Sequence, residues 1–538
     1  MHELHAAPEP AVTKPGVVWF KRDLRVFDHA PLVEAARHRE VLPLYVYEPE
    51  LLHAPDSAPQ HLGFINECLT ELDQALSARG SPLLICHGEI TQVLQQLFER
   101  FGPFALYSHE ETGNALSYAR DRRVAGWCRG NGIIWKEFPS NGVVRKLTSR
   151  NDWASIWTQR MRPPPLAAPD TLRPPALPLS GSGLLSPESM GMQGSDKPQR
   201  QRGGRRQAAQ LTRAFFDQHL ADYRYAMSSP LSAEESCSRL SPHLAYGTLS
   251  IREIVHKVWK TRAELQALPE HARPRGLLAG LKSFESRLHW HCHFIQKLES
   301  EPAIEMQNVH RGFDDVRAPE VDRERFERWR RGETGFPLVD ACMKMLAETG
   351  WINFRMRALL VSFSGYQLWN HWREPALHLA REFLDYEPGI HYPQVQMQSG
   401  VTGINTLRIY NPVKQARDQD PDGSFVKRWL PALRAVPLEF IFEPWTMPPV
   451  LQEHLGVIIG RDYPAPVVDH LATARRARDI LWSLRRDADV RDESRLVFDK
   501  HGSRNPQREG RPRRTSQAGA SRAAGAAHGA RQMSLDLE

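Results

Sequence analysis

The sequence lacks any long apolar run. None of its hydrophobic stretches approaches the roughly 20 residues that a membrane-spanning helix needs. The first residues, MHELHAAPEPAVTKPG, also lack the basic and then apolar order of a secretory signal peptide. These absences predict a cytoplasmic protein without a membrane partner, and a monomer is the default expectation.

Cysteine is scarce, and its spacing is as informative as its number. Six cysteines occur in 538 residues, with no CxxC pair and no closely spaced Cys/His pair. This pattern indicates neither a zinc ribbon nor a disulfide framework. An iron–sulfur cluster would need four ligands gathered from unrelated positions. We therefore expect reduced thiols and no metal site.

Positive charge exceeds negative charge. The chain has 70 Lys and Arg against 63 Asp and Glu, a net charge of +7 and a pI near 9.1. Basic groups gain affinity for nucleic acid by releasing counterions from phosphates. Part of the excess lies in QRQRGGRR near residue 200 and REGRPRR near residue 510. Charge alone is thus equally compatible with a DNA partner and with solvated segments.

The amino-terminal part alternates between two kinds of pattern. Short β-rich apolar runs at residues 17–20, 41–47, 83–86 and 105–108 are separated by helical patterns such as FINECLTELDQALSARG. This alternation predicts a doubly wound parallel sheet, an α/β domain over residues 16–145. SHEETG follows the last of these runs. It could line a ligand crevice at the carboxyl edge of the sheet, or simply begin a helix.

The remaining chain divides by composition. Residues 1–15 are predicted to be a disordered leader. Residues 146–204 are Pro-, Ser- and Gly-rich from residue 161 onward, which predicts a partly extended interdomain linker. Residues 205–485 show almost only helical periodicity, so a larger all-helical domain is expected. Residues 486–538 are assigned as a disordered basic tail, since this composition buries too little apolar surface to fold.

One stretch, residues 334–430, concentrates unusual chemistry. It contains Trp351, Trp372, the paired Arg355 and Arg357, and the acidic Asp385. Burying such a mixture is costly unless the charges are paired or hold a polar ligand. We interpret this stretch as a cofactor pocket.

The same stretch carries a family resemblance. The ordered series TGFPLVDA, TGWINFRMR, HWREP, LDYE, RIYNP and FVKRWLP resembles the flavin-binding domain of the DNA photolyase and cryptochrome superfamily. The amino-terminal VVWFKRDLRVFDHAPL resembles the opening strand and helix of the same proteins. Six motifs in one order are far more specific than a single match. The resemblance implies FAD as cofactor and an antenna chromophore, a folate or a deazaflavin, beside the α/β domain.

The resemblance also implies a set of cofactor-binding positions. CSRLS would hold the FAD phosphates, with Cys237 where Thr is usual; without the family context, helix capping by Ser238 or Ser241 explains this segment better. Arg357 and Asp385 would pair beside the flavin ring, although an ordinary interhelical salt bridge has the same residues. His391 would face flavin N5, unless it is a satisfied helical histidine. The complete set is Tyr225, Cys237, Ser238, Arg239, Leu240, Ser241, Arg357, Asp385, Glu387, His391 and Asn411.

The implied electron supply departs from the family pattern. Trp329 and Trp372 match two outer tryptophans of the usual photoreduction chain. The inner position is Val395, which breaks the ordinary relay. Tyr392 or Trp351 could substitute, although a buried tryptophan is more often part of a core.

The implied lesion pocket departs too. Trp290 matches a tryptophan that packs on a flipped pyrimidine dimer, with Arg287 where a glutamate is usual. Phe354 and Met397 replace other pocket residues. With Arg355 and Arg408, they are the DNA-binding candidates, and Trp290, Arg287 and His391 are the catalytic candidates.

Two functions follow from these expectations. One is a deoxyribodipyrimidine photo-lyase, a blue-light-driven carbon–carbon lyase that acts on damaged DNA. The other is a cryptochrome-like blue-light receptor without repair activity, which the pocket departures favour. By the resemblance, repair of the (6–4) photoproduct requires paired histidines in the helix that begins near Trp351. The segment WINFRMRALLVSFSGYQLW has none, which argues against that activity.

Overall fold

The computed structural model describes residues 14–176 and 180–502, and its first domain is built on a five-stranded parallel sheet. The strand order is β3-β2-β1-β4-β5, with all four pairings parallel. The strands are β1 Gly16–Phe20, β2 Val41–Tyr47, β3 Leu84–His87, β4 Ala105–His109 and β5 Ile134–Phe138.

Helices cover this sheet. Strands β1, β2 and β4 are buried along their whole length, as expected for apolar strands covered on both faces. This confirms the predicted doubly wound α/β domain. Strand β5 escaped prediction because it is an edge strand whose IWKEF sequence is only partly buried and does not form an apolar run. The helices are α1 Ala30–His38, α2 Pro49–Leu52, α3 Pro59–Ser77, α4 Ile90–Phe101 and α5 Ala115–Gly130.

The connection between the domains is only partly extended. Helix α6, Trp153–Met161, lies inside the stretch 146–204 that the sequence assigns to a linker, yet Trp153 and Trp157 belong to the core of the helical domain. Beyond it, the chain runs along the sheet domain. Val41 N donates to Arg173 O at 2.7 Å, and Ser182 N donates to Ile85 O at 2.7 Å. The connector is therefore fixed to the first domain by backbone hydrogen bonds.

The second domain is helical, as predicted. It includes two π-helical segments, Phe215–His219 and Phe363–Gln367, and short 3₁₀ turns. Its α-helices are α7 Arg205–Ala214, α8 Tyr223–Ala226, α9 Pro230–Ser236, α10 Ser241–Ala245, α11 Ile251–Ala267, α12 Leu277–Ser300, α13 Arg323–Arg331, α14 Pro337–Thr349, α15 Phe354–Ser362, α16 Arg373–Glu382, α17 Pro388–Ser399, α18 Pro412–Gln419, α19 Ser424–Trp429, α20 Pro449–Leu455 and α21 His470–Leu484.

Helix α17 is central to the helical domain. It packs on α12, α15 and α16. Gly389 permits the closest approach, because a Cβ there would lie 2.7 Å from the backbone of Ile295 in α12. The predicted site residues on α12, α15 and α17 therefore lie in the same region of the helical domain.

A final helix corrects the predicted disordered tail. Helix α22, Ala488–His501, buries Val490, Val497 and His501. His310 lies beneath it, with Nε2 2.9 Å from Val490 O. The prediction is wrong for residues 488–501 because a mainly charged sequence still presents an apolar stripe at helical spacing. Residues 503–538 of the predicted tail and 1–13 of the predicted leader lie outside the described residues.

No helix in the described ranges is both long and apolar enough to cross a bilayer.

Candidate functional site

Arg357 and Asp385 form a buried two-pronged ion pair. Arg357 Nη1 is 2.9 Å from Asp385 Oδ1, and Nη2 is 3.0 Å from Oδ2. Nε donates to Ile352 O at 2.8 Å, and the guanidinium lies 4.2 Å above the Phe383 ring. Burial alone would raise the pKa of Asp385, but the attraction of Arg357 outweighs it and the net pKa is lowered. The pair is fixed in position and ionised.

The segment from Cys237 to Ser241 turns the chain into α10 next to this pair. Arg239 adopts a left-handed φ of 55°, and its guanidinium lies 3.9 Å from the centre of the Trp351 ring. Ser241 donates a hydrogen bond to the Asp385 carboxylate. Burial raises the pKa of the Cys237 thiol to about 12, so the thiol stays protonated. Ser238 and Leu240 complete the turn, with Leu240 N 3.5 Å from Ser238 Oγ.

Tyr225 is not part of this group. Its side chain is 57% exposed on α8, beside Arg224. Tyr223 in the same turn is buried and hydrogen-bonds with Arg287. Side chains two positions apart on a helix point about 200° away from each other. Tyr223 is the buried tyrosine of this turn, and the role of Tyr225 as a cofactor-binding residue stays a prediction.

Glu387 and Asn411 both have contacts within the protein, and their cofactor-binding roles stay predictions. Glu387 is 3.5 Å from Arg22 Nη1 of the first domain, and burial raises its pKa. It lines the crevice between the domains. Asn411 caps α18, since its Oδ1 accepts from Lys414 N at 3.0 Å. Helix capping already accounts for this asparagine.

His391 is a neutral, buried histidine on α17. Its Nε2 lies 2.8 Å from Ala376 O, which only a protonated Nε2 can satisfy as donor. Burial lowers its pKa to about 4, so the ring is uncharged at neutral pH. The ring packs against Phe383 and Tyr386 with centroids 6.0 and 5.3 Å away. Among the described residues, its Nδ1 has no hydrogen-bond partner and remains an acceptor.

Trp290 and Arg287 form a half-buried pair on α12. The Arg287 guanidinium lies 5.0 Å from the centre of the Trp290 ring. Arg287 Nη2 also approaches Met227 Sδ at 3.9 Å, and Met227 O accepts from Asn353 Nδ2 at 3.0 Å. Asn353 directly precedes α15, which carries Arg357. Met227 thus connects the α12 pair to the helix of the buried ion pair.

The remaining predicted DNA contacts surround the same helices. Phe354 and Arg355 form the half-buried first turn of α15, and Met397 is buried on α17. Arg408 is half-buried in the loop before α18, and its carbonyl accepts from Ser362 Oγ at 3.1 Å. These positions are compatible with one opening into the helical domain.

The two predicted relay tryptophans are separately buried. Trp329 is fully buried against Phe326 and His378, with ring centroids 5.9 and 5.7 Å away. Trp372 is also buried, and its Nε1 donates to Asn308 Oδ1 at 2.7 Å. No ring contact joins the two tryptophans within the part of the chain that the structure describes. Their role in photoreduction stays a prediction.

Comparisons with known proteins agree with this architecture. Residues 16–156 match the family model of DNA photolyase, and residues 284–483 match the FAD binding domain of DNA photolyase. A cryptochrome DASH of Gloeobacter violaceus is 31% identical over 491 residues, covering 86% of this chain and 94% of that protein. The chain belongs to the DNA photolyase/cryptochrome family.

Relatives within this family carry different names. A deoxyribodipyrimidine photo-lyase of Streptomyces griseus is 30% identical over 482 residues, covering 85% of this chain and 97% of that protein. A bacterial class III photolyase from Agrobacterium tumefaciens has the same fold, with a TM-score of 0.76, 23% identity and coverage of 90% and 100% of the two chains. Family membership alone does not separate repair from light reception.

Buried polar atoms test whether these residues fit the FAD of this flavoprotein family. Arg239 Nε, Asn353 Oδ1, Arg355 Nε and Glu387 Oε1 are buried without a hydrogen-bond partner in residues 14–176 and 180–502. Such atoms are costly to leave unsatisfied. Unsatisfied polar atoms of this kind fit a large polar cofactor.

The sequence missed a hydrogen-bonded tyrosine pair. Tyr386 OH is 2.6 Å from Asp56 Oδ2 and 3.3 Å from Tyr392 OH. Arg373 Nη1 is 3.2 Å from Tyr392 OH. Asp56 belongs to the first domain, 330 residues before Tyr386, so no local pattern could reveal the contact. The sequence offered two separate signals, the LDYE motif with Tyr386 and Tyr392 as a candidate relay substitute.

A cavity lies where the strand order of the sheet reverses, between β1 and β4. Trp19, Tyr45, Tyr47 and Tyr246 contribute aromatic walls. Its charged floor is internally paired: Arg120 contacts Glu48 and Glu111 at 2.6 Å each. Glu111 and Gly113 of SHEETG line both this cavity and the neighbouring crevice, so this motif does border ligand-sized space.

Asp23, His29 and His109 form a compact buried cluster beside that crevice. Asp23 Oδ2 lies 2.9 Å from His29 Nε2 and 2.6 Å from His109 Nδ1. His29 Nδ1 accepts from Leu32 N, so its Nε2 carries the hydrogen and donates to Asp23. A donor nitrogen is not a metal ligand, and the cluster is best explained as a hydrogen-bonded support for the loop after β1.

Proposed function

We propose that this protein is an FAD-dependent, blue-light-driven photolyase that splits cyclobutane pyrimidine dimers in DNA. The observation that carries the proposal is the Trp290–Arg287 pair, a half-buried aromatic plate with a cation 5.0 Å from its centre. A flat aromatic surface stacks on a base. A fixed cation stabilises negative charge that develops on that base.

The cofactor would be held by the residues around the buried ion pair. Ser238, Arg239 and Ser241 would bind the FAD diphosphate, because hydroxyls and a guanidinium suit phosphate oxygens. Arg357 and Asp385 would border the flavin ring. His391, neutral with a free Nδ1 acceptor, would face it as a hydrogen-bond acceptor rather than as a cation.

The lesion would enter from the α12 side. Enzymes that act on a base inside a duplex extrude it first, and photolyases are among them. Trp290 would stack on the flipped dimer, with Phe354 and Met397 as further apolar walls. Arg287 would stabilise the dimer radical anion, while Arg355 and Arg408 would contact phosphates. Reduced FAD, when bound and excited by blue light, supplies one electron to the dimer and recovers it after both bonds break.

The cavity at the strand reversal would take a second, light-harvesting chromophore. Its aromatic walls suit a planar ring system, and its charges are already paired within the protein. Filling it by Leu51→Trp should remove any chromophore besides FAD from the purified protein. Mass spectrometry of the released chromophores tests this, and an unchanged second chromophore would place its site elsewhere.

A cryptochrome-like receptor is the second candidate. It is supported by the cryptochrome DASH relative and by Phe354 and Met397, which replace usual lesion-pocket residues. Such a receptor would bind FAD and respond to light without removing dimers.

The deciding experiment is a repair assay with chemically reduced protein. The full-length protein is reduced with dithionite and given single- and double-stranded oligonucleotides that contain one thymine dimer, under blue light and in darkness. Light-dependent dimer loss is expected. FAD-loaded protein that leaves the dimers intact would overturn the proposal and favour the receptor.

A further inference from the structure

The tyrosine pair lies where an electron route is otherwise interrupted. Val395 is aliphatic, buried and unable to act as a one-electron carrier. One turn earlier on α17, Tyr392 lies with its ring 6.3 Å from Trp372 and 6.4 Å from Tyr386. The three aromatic side chains form a continuous path of close contacts that avoids Val395.

We propose that Tyr386 and Tyr392 are redox-active residues that carry electrons toward the flavin, with Asp56 as the acceptor of the phenolic proton. This inference rests on the proposed flavin chemistry. It assigns to this chain a tyrosine route in place of the missing inner aromatic residue.

The hydrogen bonds give the path a direction. Asp56 Oδ2 accepts from Tyr386 OH at 2.6 Å and from Asn114 Nδ2 at 3.1 Å. The single hydroxyl hydrogen of Tyr386 therefore points to Asp56, and Tyr392 OH donates to Tyr386 across 3.3 Å. Arg373 donates to Tyr392 in turn. Each phenol has a partner that can receive its proton, as oxidation of a tyrosine requires.

The inner end of the path meets the residues of the flavin site. Tyr386 directly follows Asp385, and the His391 ring lies 5.3 Å from the Tyr386 ring. The outer end reaches Trp372 and, 5.5 Å beyond it, the half-buried His371. The path thus runs from the flavin site toward the periphery of the helical domain.

The proposed step balances as follows. Tyr386 loses one electron toward the light-excited oxidised flavin and its phenolic proton to Asp56, which leaves a neutral tyrosyl radical. A hydrogen atom passes from Tyr392 OH to Tyr386 O, so the radical moves to Tyr392. A small thiolate outside the protein is then oxidised to a thiyl radical, and its electron passes by way of Trp372 and reduces the Tyr392 radical to a phenolate. The proton returns from Asp56 through Tyr386 to Tyr392.

The experiment is photoreduction of the FAD-loaded, full-length protein without oxygen, under blue light, with dithiothreitol as reductant. Flavin absorbance gives the rate, and electron paramagnetic resonance identifies the radical in protein grown with ring-deuterated tyrosine. Tyr392→Phe and Tyr386→Phe are compared with Tyr366→Phe, a buried tyrosine that instead contacts Arg317. Asp56→Asn removes the proton acceptor.

We expect at least tenfold slower photoreduction in the Tyr392, Tyr386 and Asp56 variants, and the wild-type rate in Tyr366→Phe. Tyrosine deuteration should narrow the radical signal of the wild-type protein, a result that does not depend on any variant folding. Unchanged rates in Tyr392→Phe, or a radical signal that is insensitive to the label, would overturn the inference. Repair by dithionite-reduced wild-type protein bypasses this route, so its failure would contradict the proposed function alone.

Discussion

Arg357 holds both carboxylate oxygens of Asp385, at 2.9 and 3.0 Å. Both residues are mostly buried, and the pair joins α15 to the turn before α17. A buried ion pair contributes little net stability, but removing one partner leaves an uncompensated buried charge at a cost of about 3–5 kcal/mol. Its position among unsatisfied polar atoms makes it the anchor of the proposed cofactor site.

Arg357→Ala should yield protein with little or no bound FAD. The substitution leaves the Asp385 carboxylate buried without its counter-charge and removes the group that would border the flavin. The ratio of flavin to protein absorbance after purification measures occupancy. Arg417→Ala, which breaks an exposed pair with Glu443, is the matched control and should keep full occupancy. Full occupancy in Arg357→Ala would contradict the site assignment.

Trp290→Ala should weaken binding of a dimer-containing oligonucleotide by about 10- to 100-fold, since stacking contributes about 1–3 kcal/mol per base. Trp290→Phe keeps an aromatic plate and should lose much less. Fluorescence anisotropy with damaged and undamaged strands measures the difference. Trp482→Ala on α21, which removes an exposed tryptophan elsewhere, serves as control. Equal affinity of wild type and Trp290→Ala would remove Trp290 from the lesion pocket.

The docking of α22 can be tested with two neighbouring residues. Val497 is on the buried face of α22, whereas its neighbour Leu496 is 69% exposed. Val497→Asp should release α22, because a buried unpaired carboxylate costs several kcal/mol. Leu496→Asp adds the same charge at the surface and should not. Hydrogen exchange followed by mass spectrometry reports the α22 amides, and equal protection in both variants would show that burial of Val497 does not hold the helix.

Local sequence patterns predicted the helices and strands better than they predicted which residues contact each other. Alternating apolar runs gave the parallel sheet, and the ordered motifs gave the Arg357–Asp385 pair, because both signals are contained in short stretches. Sequence alone did not say that Tyr223, and not Tyr225, is the buried tyrosine of its helical turn. Strand β5 and helix α22 were missed because charged residues interrupt their apolar pattern, Lys136 and Glu137 in β5 and ADVRDESR at the start of α22.

Contacts between distant segments were beyond reach from the sequence. The Asp56–Tyr386 hydrogen bond joins two domains, and the Arg22–Glu387 contact does the same. The ring neighbours of Trp329 and Trp372 depend on how α13 and α16 pack. Which residues meet is decided by the packing of whole helices, which no single motif encodes.

His378 should make the protein less stable in mild acid. It is buried against Trp329 and Phe326, its Nε2 has no hydrogen-bond partner among the described residues, and burial lowers its pKa to about 3. The unfolded chain takes up a proton at this histidine below pH of about 6.5, and the folded chain does not. Its contribution to the free energy of unfolding is therefore complete above that pH and declines as the pH falls toward 3.

His378→Phe should remove this dependence while preserving the aromatic packing. Between pH 6 and 4, the variant should gain about 1.4 kcal/mol per pH unit relative to the wild type. Urea unfolding followed by tryptophan fluorescence at pH 7.5, 6 and 5 measures the gain. His271→Phe replaces an exposed histidine and should follow the wild type at every pH. If His378→Phe also followed the wild type, the buried histidine would have to be protonated in the folded protein, or another group would dominate its acid sensitivity.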